Sequence, residues 1–263
     1  KKLKIGVITF DPIPKMFFNP MWKNYRISNF DQKVEFLKKF NVDFIVNKKF
    51  DNKFSKINYF EFIKKILYKK INPKFIFVSD NFKFGNKREG DVNSLVESEE
   101  KFNFKVINPT PLKNKSIVIS SSLIRKLLIM SKLNLVKKYL KRNWSIQGTV
   151  QVGRKLGRKI GFPTCNVDIK DYIIPKLGVY KVKVKIANSK KIYNGIANLG
   201  LRPTFNQKKI LLEVNIFNFS ENLYYKKLKV EFIKFIRGEK KFNNIEQLKK
   251  QIFIDIKNCK KKY

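Results

Sequence analysis

Histidine is absent from this 263-residue chain. Its absence excludes imidazole metal ligands and any mechanism that needs a histidine base within the chain as given. Cysteine is almost absent too. Cys165 and Cys259 are the only two, and their spacing fits no metal motif, so a reduced, cytoplasmic setting is expected. Long apolar runs are missing, so no segment reads as a membrane span and no membrane partner is expected. A secretory signal before the first apolar strand is not expected. Acidic residues number 20 against 59 basic ones, and only eight of the latter are arginine.

The resulting formal charge of +39 invites a nucleic-acid reading. The distribution argues against it. Lysine recurs in every segment rather than on one stripe, and Asn, Ile and Phe are abundant with it, as A/T-rich codons would produce. Neither an RNP1 motif nor a helix-turn-helix pattern is present, so no dedicated nucleic-acid partner is expected. Several of the eight arginines, Arg125, Arg158, Arg202 and Arg237, fall inside motifs, as expected where a planar guanidinium is needed. A hydrophobic content of 43% with 25 Phe excludes a disordered chain, and the length suits two modest domains.

Along the chain, Leu3–Phe10 reads as a buried strand broken by Asp11-Pro12-Ile13-Pro14. Ser28 or Asn29 caps a helix running to about Phe40, and Val42–Val46 is a short strand. Ile57–Tyr68 shows a helical face, Lys74–Ser79 and Phe102–Ile107 read as strands, and Ser120–Met130 and Lys132–Leu140 as helices. Alternating strands and helices predict an α/β domain with a mostly parallel sheet. After Trp144 the period changes to two. Tyr180, Val182, Val184 and Ile186 share one face, as do Ile210, Leu212, Val214 and Ile216, and Leu228–Ile236 is a further strand. Strands without intervening helices predict an antiparallel sheet curled into a barrel. Ile245, Leu248, Ile252 and Ile256 form a helical stripe expected to pack on it. The expected domains are 1–142 and 143–263.

Near the start of the second lies Gly148–Asn166, GTVQVGRKLGRKIGFPTCN. Its glycines at 148, 153, 157 and 161 alternate with Arg154, Lys155, Arg158 and Lys159. Such a loop can bring N–H groups and cations near phosphate oxygens, although glycines and lysines taken alone are most often just a loop. Pro163 disfavours helix at Phe162, and an extended continuation puts Thr164 and Asn166 on one face with Cys165 opposite. A hydroxyl and an amide carbonyl are hard oxygen ligands, suited to Mg²⁺ carrying a nucleotide. No P-loop pattern is present.

This stretch resembles the flavokinase motif of the bacterial bifunctional riboflavin kinase/FMN adenylyltransferase family, G-x-V-x-x-G-x-x-x-G-R-x-x-G-F-P-T-x-N. Leu177-Gly178-Val179-Tyr180, Asn198-Leu199-Gly200-Leu201-Arg202-Pro203-Thr204-Phe205, Leu212-Glu213-Val214, Leu223-Tyr224, Phe235-Ile236-Arg237-Gly238-Glu239 and Lys241-Phe242 extend the likeness in order. The resemblance implies an α/β nucleotidyltransferase-like (Rossmann-like) N-terminal domain followed by an antiparallel β-barrel riboflavin kinase domain with a C-terminal helix. It implies riboflavin, FMN and ATP as substrates and Mg²⁺ as the metal. Glu213 would be the general base for the ribityl 5′-hydroxyl; the alternative is a solvated acid on the barrel exterior. Gly153, Lys155, Gly157, Arg158 and Gly161 would cover the phosphates, and Thr164 and Asn166 would serve the metal. Arg202 would brace a turn or contact phosphate. Tyr and Phe near the C-terminal helix would stack on the isoalloxazine or simply fill a core.

In the N-terminal half, Thr9-Phe10-Asp11-Pro12-Ile13-Pro14 resembles the family's T-F-x-P-H-P, with Ile13 in place of histidine. Val78-Ser79-Asp80-Asn81-Phe82-Lys83-Phe84-Gly85 resembles the flavin segment G-x-D-F-x-F-G, with Ser79 for glycine and Asn81 for aspartate. Arg88-Glu89-Gly90-Asp91 follows as in the family. Ile119-Ser120-Ser121-Ser122-Leu123-Ile124-Arg125 resembles I-S-S-T-x-I-R. Asn81, Phe82 and Phe84 would then touch flavin. Ser120, Ser121, Ser122 and Arg125 would cradle the triphosphate, unless the serines merely cap a basic helix. The family's H-x-G-H element would precede the given chain. These departures lead to the expectation that adenylyl transfer is weak or lost. The alternatives are a fully bifunctional enzyme that also makes FAD and, from another class, a basic nucleic-acid-binding protein.

Overall fold

The structure is a computed structural model that describes residues 2–153, 156–203 and 208–260. The chain divides into two compact units, Lys1–Trp22 with Phe40–Ile119, and Lys23–Lys39 with Ser120–Tyr263.

In the first unit, β1 (Gly6–Asp11) and β2 (Phe44–Lys49) pair in parallel, Gly6 opposite Phe44. β3 (Phe75–Phe77) and β4 (Lys105–Ile107) form a second parallel pair. β5 (Lys113–Asn114) and β6 (Ile117–Val118) make a small antiparallel ribbon. Helices link the parallel partners, as an α/β arrangement requires. The core is aromatic, with Phe54, Phe62, Phe84, Phe102 and Phe104 packed around Ile63, Leu67 and Leu95. The strand expected from Phe102 begins only at Lys105. Phe102 instead closes the Glu99–Phe102 helix, which stops at Asn103 in the left-handed region. The helical face expected over Ile57–Tyr68 begins at Tyr59, capped by Asn58, and continues as a π-helix to Ile71.

The second unit is built on a closed six-stranded barrel. Its strands are β7 (Ser145–Gln151), β8 (Cys165–Val167), β9 (Gly178–Ile186), β10 (Ile192–Pro203), β11 (Lys208–Ile216) and β12 (Lys227–Arg237). They close in the order β10-β11-β8-β7-β12-β9, every pairing antiparallel. The period-two expectation holds, with Tyr180, Val182, Val184, Leu212 and Val214 all inside with Leu228, Val230 and Phe232. The helices Ser121–Ile129 and Leu133–Leu140 add Leu127, Leu128, Leu133 and Val136 to the same core.

So does a piece from before residue 40. Asn29 and Gln32 form a capping box at the start of the Phe30–Lys38 helix. Gln32 is fully buried, and its Nε2 donates to the Ser145 carbonyl at 3.0 Å and to Ser145 Oγ at 2.9 Å. Tyr172 donates its hydroxyl to Gln32 Oε1 at 2.7 Å. Trp144 Nε1 donates to the Ile27 carbonyl at 2.7 Å, and Arg26 pairs with Asp171. The position 142/143 lies inside this unit.

The C-terminal helix spans Ile245–Lys260. Of the expected stripe, Leu248 and Ile252 line the space beneath the helix and Ile256 packs on the barrel. Ile245 is exposed, whereas Asp255 and Cys259 are buried. A buried carboxylate falls on the packed face because Arg237 requires it there, and apolar periodicity carries no sign of that.

Candidate active site on the outer wall of the barrel

The alternation that turns Leu212 and Val214 inward turns Glu213 outward. Strand register gives it two amide neighbours, Asn166 across on β8 and Asn198 across on β10. The outer wall here is not open surface. The C-terminal helix stands off it and encloses a cavity of about 370 Å³. Thr164, Asn198, Glu213 and Asn215 line the polar side. Val179 and Ile196 from the barrel, Phe242, and Leu248 and Ile252 from the helix provide apolar walls. Glu213 therefore lies on the barrel exterior, but half-buried in a cavity rather than fully solvated.

Thr164 lines this cavity and Asn166 is buried on the same outward face. Cys165 turns inward as expected, packs on the barrel core, and donates its thiol to the Val214 carbonyl at 3.4 Å. Burial pushes that thiol up to about 12, so it stays protonated and is no nucleophile. Asn166 Oδ1 is buried without a hydrogen-bond partner among the described residues. An orphaned acceptor of this kind carries a cost that a bound cation or donor would remove. Among the described residues no group of three or more Cys, Asp or Glu could hold a metal. The donors present, neutral oxygens, suit a cation that keeps its waters and shares substrate phosphates.

The glycines of the loop are matters of room. A Cβ on Gly153 would lie 1.7 Å from Asn166 Nδ2, and one on Gly157 would lie 2.4 Å from the Phe162 carbonyl and 3.0 Å from Thr164 Oγ1. Gly157 and Arg158 belong to the short Leu156–Lys159 helix, and Arg158 is exposed. Gly161 then turns the chain back, with the Phe162 N–H on the Gly157 carbonyl at 2.8 Å. Asn215 Nδ2 donates to the Pro163 carbonyl at 2.6 Å and so pins the Pro163-Thr164 backbone to β11. Arg154, Lys155, Thr204 and Phe205 lie outside the described residues, as does the side chain of Arg202.

The floor under the C-terminal helix is held by an ion pair. Arg237 Nε donates to both Asp255 oxygens at 3.1 and 3.0 Å, and Nη2 to Oδ2 at 2.8 Å. Nη1 donates to the Gly238 carbonyl at 2.8 Å, and Gln251 Nε2 reaches Asp255 Oδ1 at 2.9 Å. Glu239, also at the cavity, accepts from the Leu201 N–H at 3.4 Å. Asn198 and Glu239 stand in motifs quoted from the sequence but were given no role there, and Asn215 and Asp255 were not singled out. For Asn198 and Asn215 the signal was available, because the same alternation that turns Glu213 outward turns them outward.

In the first unit, Asn81 Oδ1 accepts from Ser79 Oγ at 3.1 Å. Phe82 stacks on Phe84 at 5.4 Å, and Phe84 is buried in the aromatic core. In the second unit, Ser120 caps the Ser121–Ile129 helix by accepting from the Leu123 N–H at 3.2 Å. Ser121 and Ser122 are exposed on its first turn. Arg125 is turned onto Tyr25, with Nε donating to the Tyr25 carbonyl at 2.9 Å and the guanidinium 3.6 Å above the ring. Burial lowers its pKa.

Comparison with known proteins gives a consistent result. Residues 140–263 match a family model described as riboflavin kinase, and residues 1–123 one described as FAD synthetase. A bifunctional riboflavin kinase/FMN adenylyltransferase of Buchnera aphidicola is 41% identical over 97% of this chain and 82% of its own length. The protein of the same description from Haemophilus influenzae is 38% identical over 98% of this chain and 83% of its own. A crystal structure from Streptococcus pneumoniae, described as a macrolide-efflux protein, superposes with a TM-score of 0.82 at 28% identity. It covers 99% of this chain and 84% of that one.

Proposed function

Because the chain belongs to the bifunctional riboflavin kinase/FMN adenylyltransferase family, with a riboflavin kinase domain and a FAD synthetase domain, we propose that Glu213 is the general base of its kinase reaction. The observation that carries this is the row Asn166–Glu213–Asn198 on the barrel's outer wall, within a cavity that Thr164 also lines. Glu213 accepts the proton of the ribityl 5′-hydroxyl, the oxygen bonds to the γ-phosphorus of ATP, and the bond to the β,γ-bridging oxygen breaks to release ADP. Little covalent help is needed beyond positioning and charge neutralisation. The apolar walls around Phe242 and Leu248 suit the flat isoalloxazine and leave the polyol to the polar side.

Thr164 and Asn166 are the residues that would hold Mg²⁺, and the unpartnered Asn166 Oδ1 supports this. When bound, the ion supplies charge neutralisation at the transferred phosphate. Gly153, Gly157, Arg158 and Gly161, with Lys155, are assigned to the phosphates of ATP. For the second activity, Asn81 and Phe82 are assigned to flavin, and Ser120, Ser121, Ser122 and Arg125 to nucleotide phosphates. Phe84 supports that segment from the core. Adenylyl transfer is proposed to be the slower reaction, because Ile13, Ser79 and Asn81 stand where the family pattern has histidine, glycine and aspartate. We place the protein in the cytoplasm, on its two free thiols. No helix among the described residues is long and apolar enough to cross a membrane.

The test is Glu213→Gln in the full chain. The amide keeps size and hydrogen-bonding capacity but takes no proton near neutral pH. kcat for FMN formation is expected to fall by about 10²–10⁴, with riboflavin and ATP affinities little changed. Turnover within a few-fold of the parent, in a variant with unaltered circular dichroism, overturns the assignment.

A further inference from the structure

Three asparagine amides surround Glu213, and two of them have evident tasks. Asn215 spends its Nδ2 on the Pro163 carbonyl at 2.6 Å. Asn166 is buried, with its Nδ2 against Gly153. The third, Asn198, is exposed to the cavity and its side chain makes no hydrogen bond with any of the described residues. It is nonetheless rigidly placed. Its neighbours Ala197 and Leu199 are fixed in the barrel core, and it stands opposite Glu213 in the register of β10 and β11. Gly200 keeps the space beside it open: a Cβ there would lie 3.3 Å from Asn198 Nδ2 and 2.7 Å from Glu239 Oε1.

We propose that Asn198 is the residue that orients the acceptor, gripping the polyol hydroxyl adjacent to the one that reacts. The inference rests on Glu213 as the base. A vicinal diol offers two hydroxyls a few ångströms apart, and two neighbouring strands offer two side chains at a matching spacing. The carboxylate takes the 5′-hydroxyl. The amide, which both donates and accepts, takes the 4′-hydroxyl. Holding the second hydroxyl removes rotation about the last carbon–carbon bond and leaves the 5′-oxygen aligned, an effect expressed in kcat more than in binding.

The experiment compares the parent and Asn198→Ala, as full chains, on riboflavin and on 4′-deoxyriboflavin. On riboflavin, Asn198→Ala is expected to lower kcat about ten- to a hundredfold, with KM for ATP unchanged. On the deoxy substrate the parent should fall by a similar factor and the variant should fall no further. An equal loss for the variant on both substrates overturns the proposal, as does riboflavin turnover within twofold of the parent. Asn198→Ser, which retains a hydroxyl partner in a smaller side chain, is expected to recover part of the rate on riboflavin alone. If Asn198→Ala does not fold, Asn198→Ser carries the same comparison: a rate deficit that persists undiminished on the deoxy substrate overturns the proposal. Failure of the underlying reading looks different, because Glu213→Gln would then turn over normally on riboflavin whatever Asn198 does.

Discussion

Tyr172 and Gln32, 140 residues apart in sequence, meet through a 2.7 Å hydrogen bond in the buried interior of the barrel unit. The same glutamine also holds both polar groups of Ser145. Gln32→Leu therefore takes the acceptor from the Tyr172 hydroxyl and the donor from the Ser145 hydroxyl and carbonyl, and should destabilise the unit by about 1–3 kcal/mol. A 143–263 fragment, although it carries every kinase motif, also loses Trp144's acceptor at Ile27 and Asp171's partner Arg26. It is expected to unfold at lower denaturant than the kinase unit of the full chain. Urea titration followed by Trp144 fluorescence measures both effects. A fragment as stable as the parent would show the Lys23–Lys39 segment to be dispensable.

Asp255 lies in a buried position with Arg237 as its counter-charge. Asp255→Ala strands the guanidinium and should cost about 3–5 kcal/mol. Replacing both partners, as Arg237→Met with Asp255→Leu, should recover much of that stability. It should not recover full activity if Arg237 also shapes the cavity it lines. Thermal melts and FMN formation on the three variants separate the two roles.

Thr164→Ala and Asn166→Ala are expected to raise the Mg²⁺ concentration needed for half-maximal rate. The shift should be on the order of ten- to a hundredfold, the usual loss for groups that hold or brace a metal ligand. Calorimetry of Mg²⁺–ADP binding gives a readout independent of turnover. Unchanged metal dependence in either variant would remove that residue from the metal site.

In the adenylyltransferase half, Asn81→Asp combined with Ile13→His should raise FAD formation from FMN and ATP, and chromatographic separation of FAD from FMN measures it. The Ser79–Asn81 hydrogen bond suggests a third change, Ser79→Gly, to free the residue at 81. If none of these alters the rate, the departures from the family pattern are tolerated and adenylyl transfer is not limited by them.

Much of the kinase fold was legible because a barrel strand broadcasts its two faces in alternate residues. Val179–Ile186 and the Leu212-Glu213-Val214 triplet read correctly from polarity alone. What escaped had non-local causes. Nothing near Gln32 announces that its side chain ends between Ser145 and Tyr172. Nor does the apolar periodicity of the C-terminal helix register the buried ion pair of Asp255 with Arg237. The strand expected from Phe102 began late, at Lys105, for a local reason: Phe102 closes the preceding helix, and Asn103 stops that helix by adopting the left-handed conformation.

The placement of Glu213 on the outer wall makes pairing register itself a determinant of activity. Along β11, Leu212 and Val214 fill the barrel while Glu213 and Asn215 face the cavity. A slip of one residue against β8 would bury Glu213 and present Leu212 to the substrate without altering a single side chain. Stability guards against that error, since the displaced carboxylate would enter a dry core. Selection for a well-packed interior therefore also keeps the active site in alignment, and substitutions that loosen Leu212 or Val214 would impair phosphorylation from the far side of the sheet.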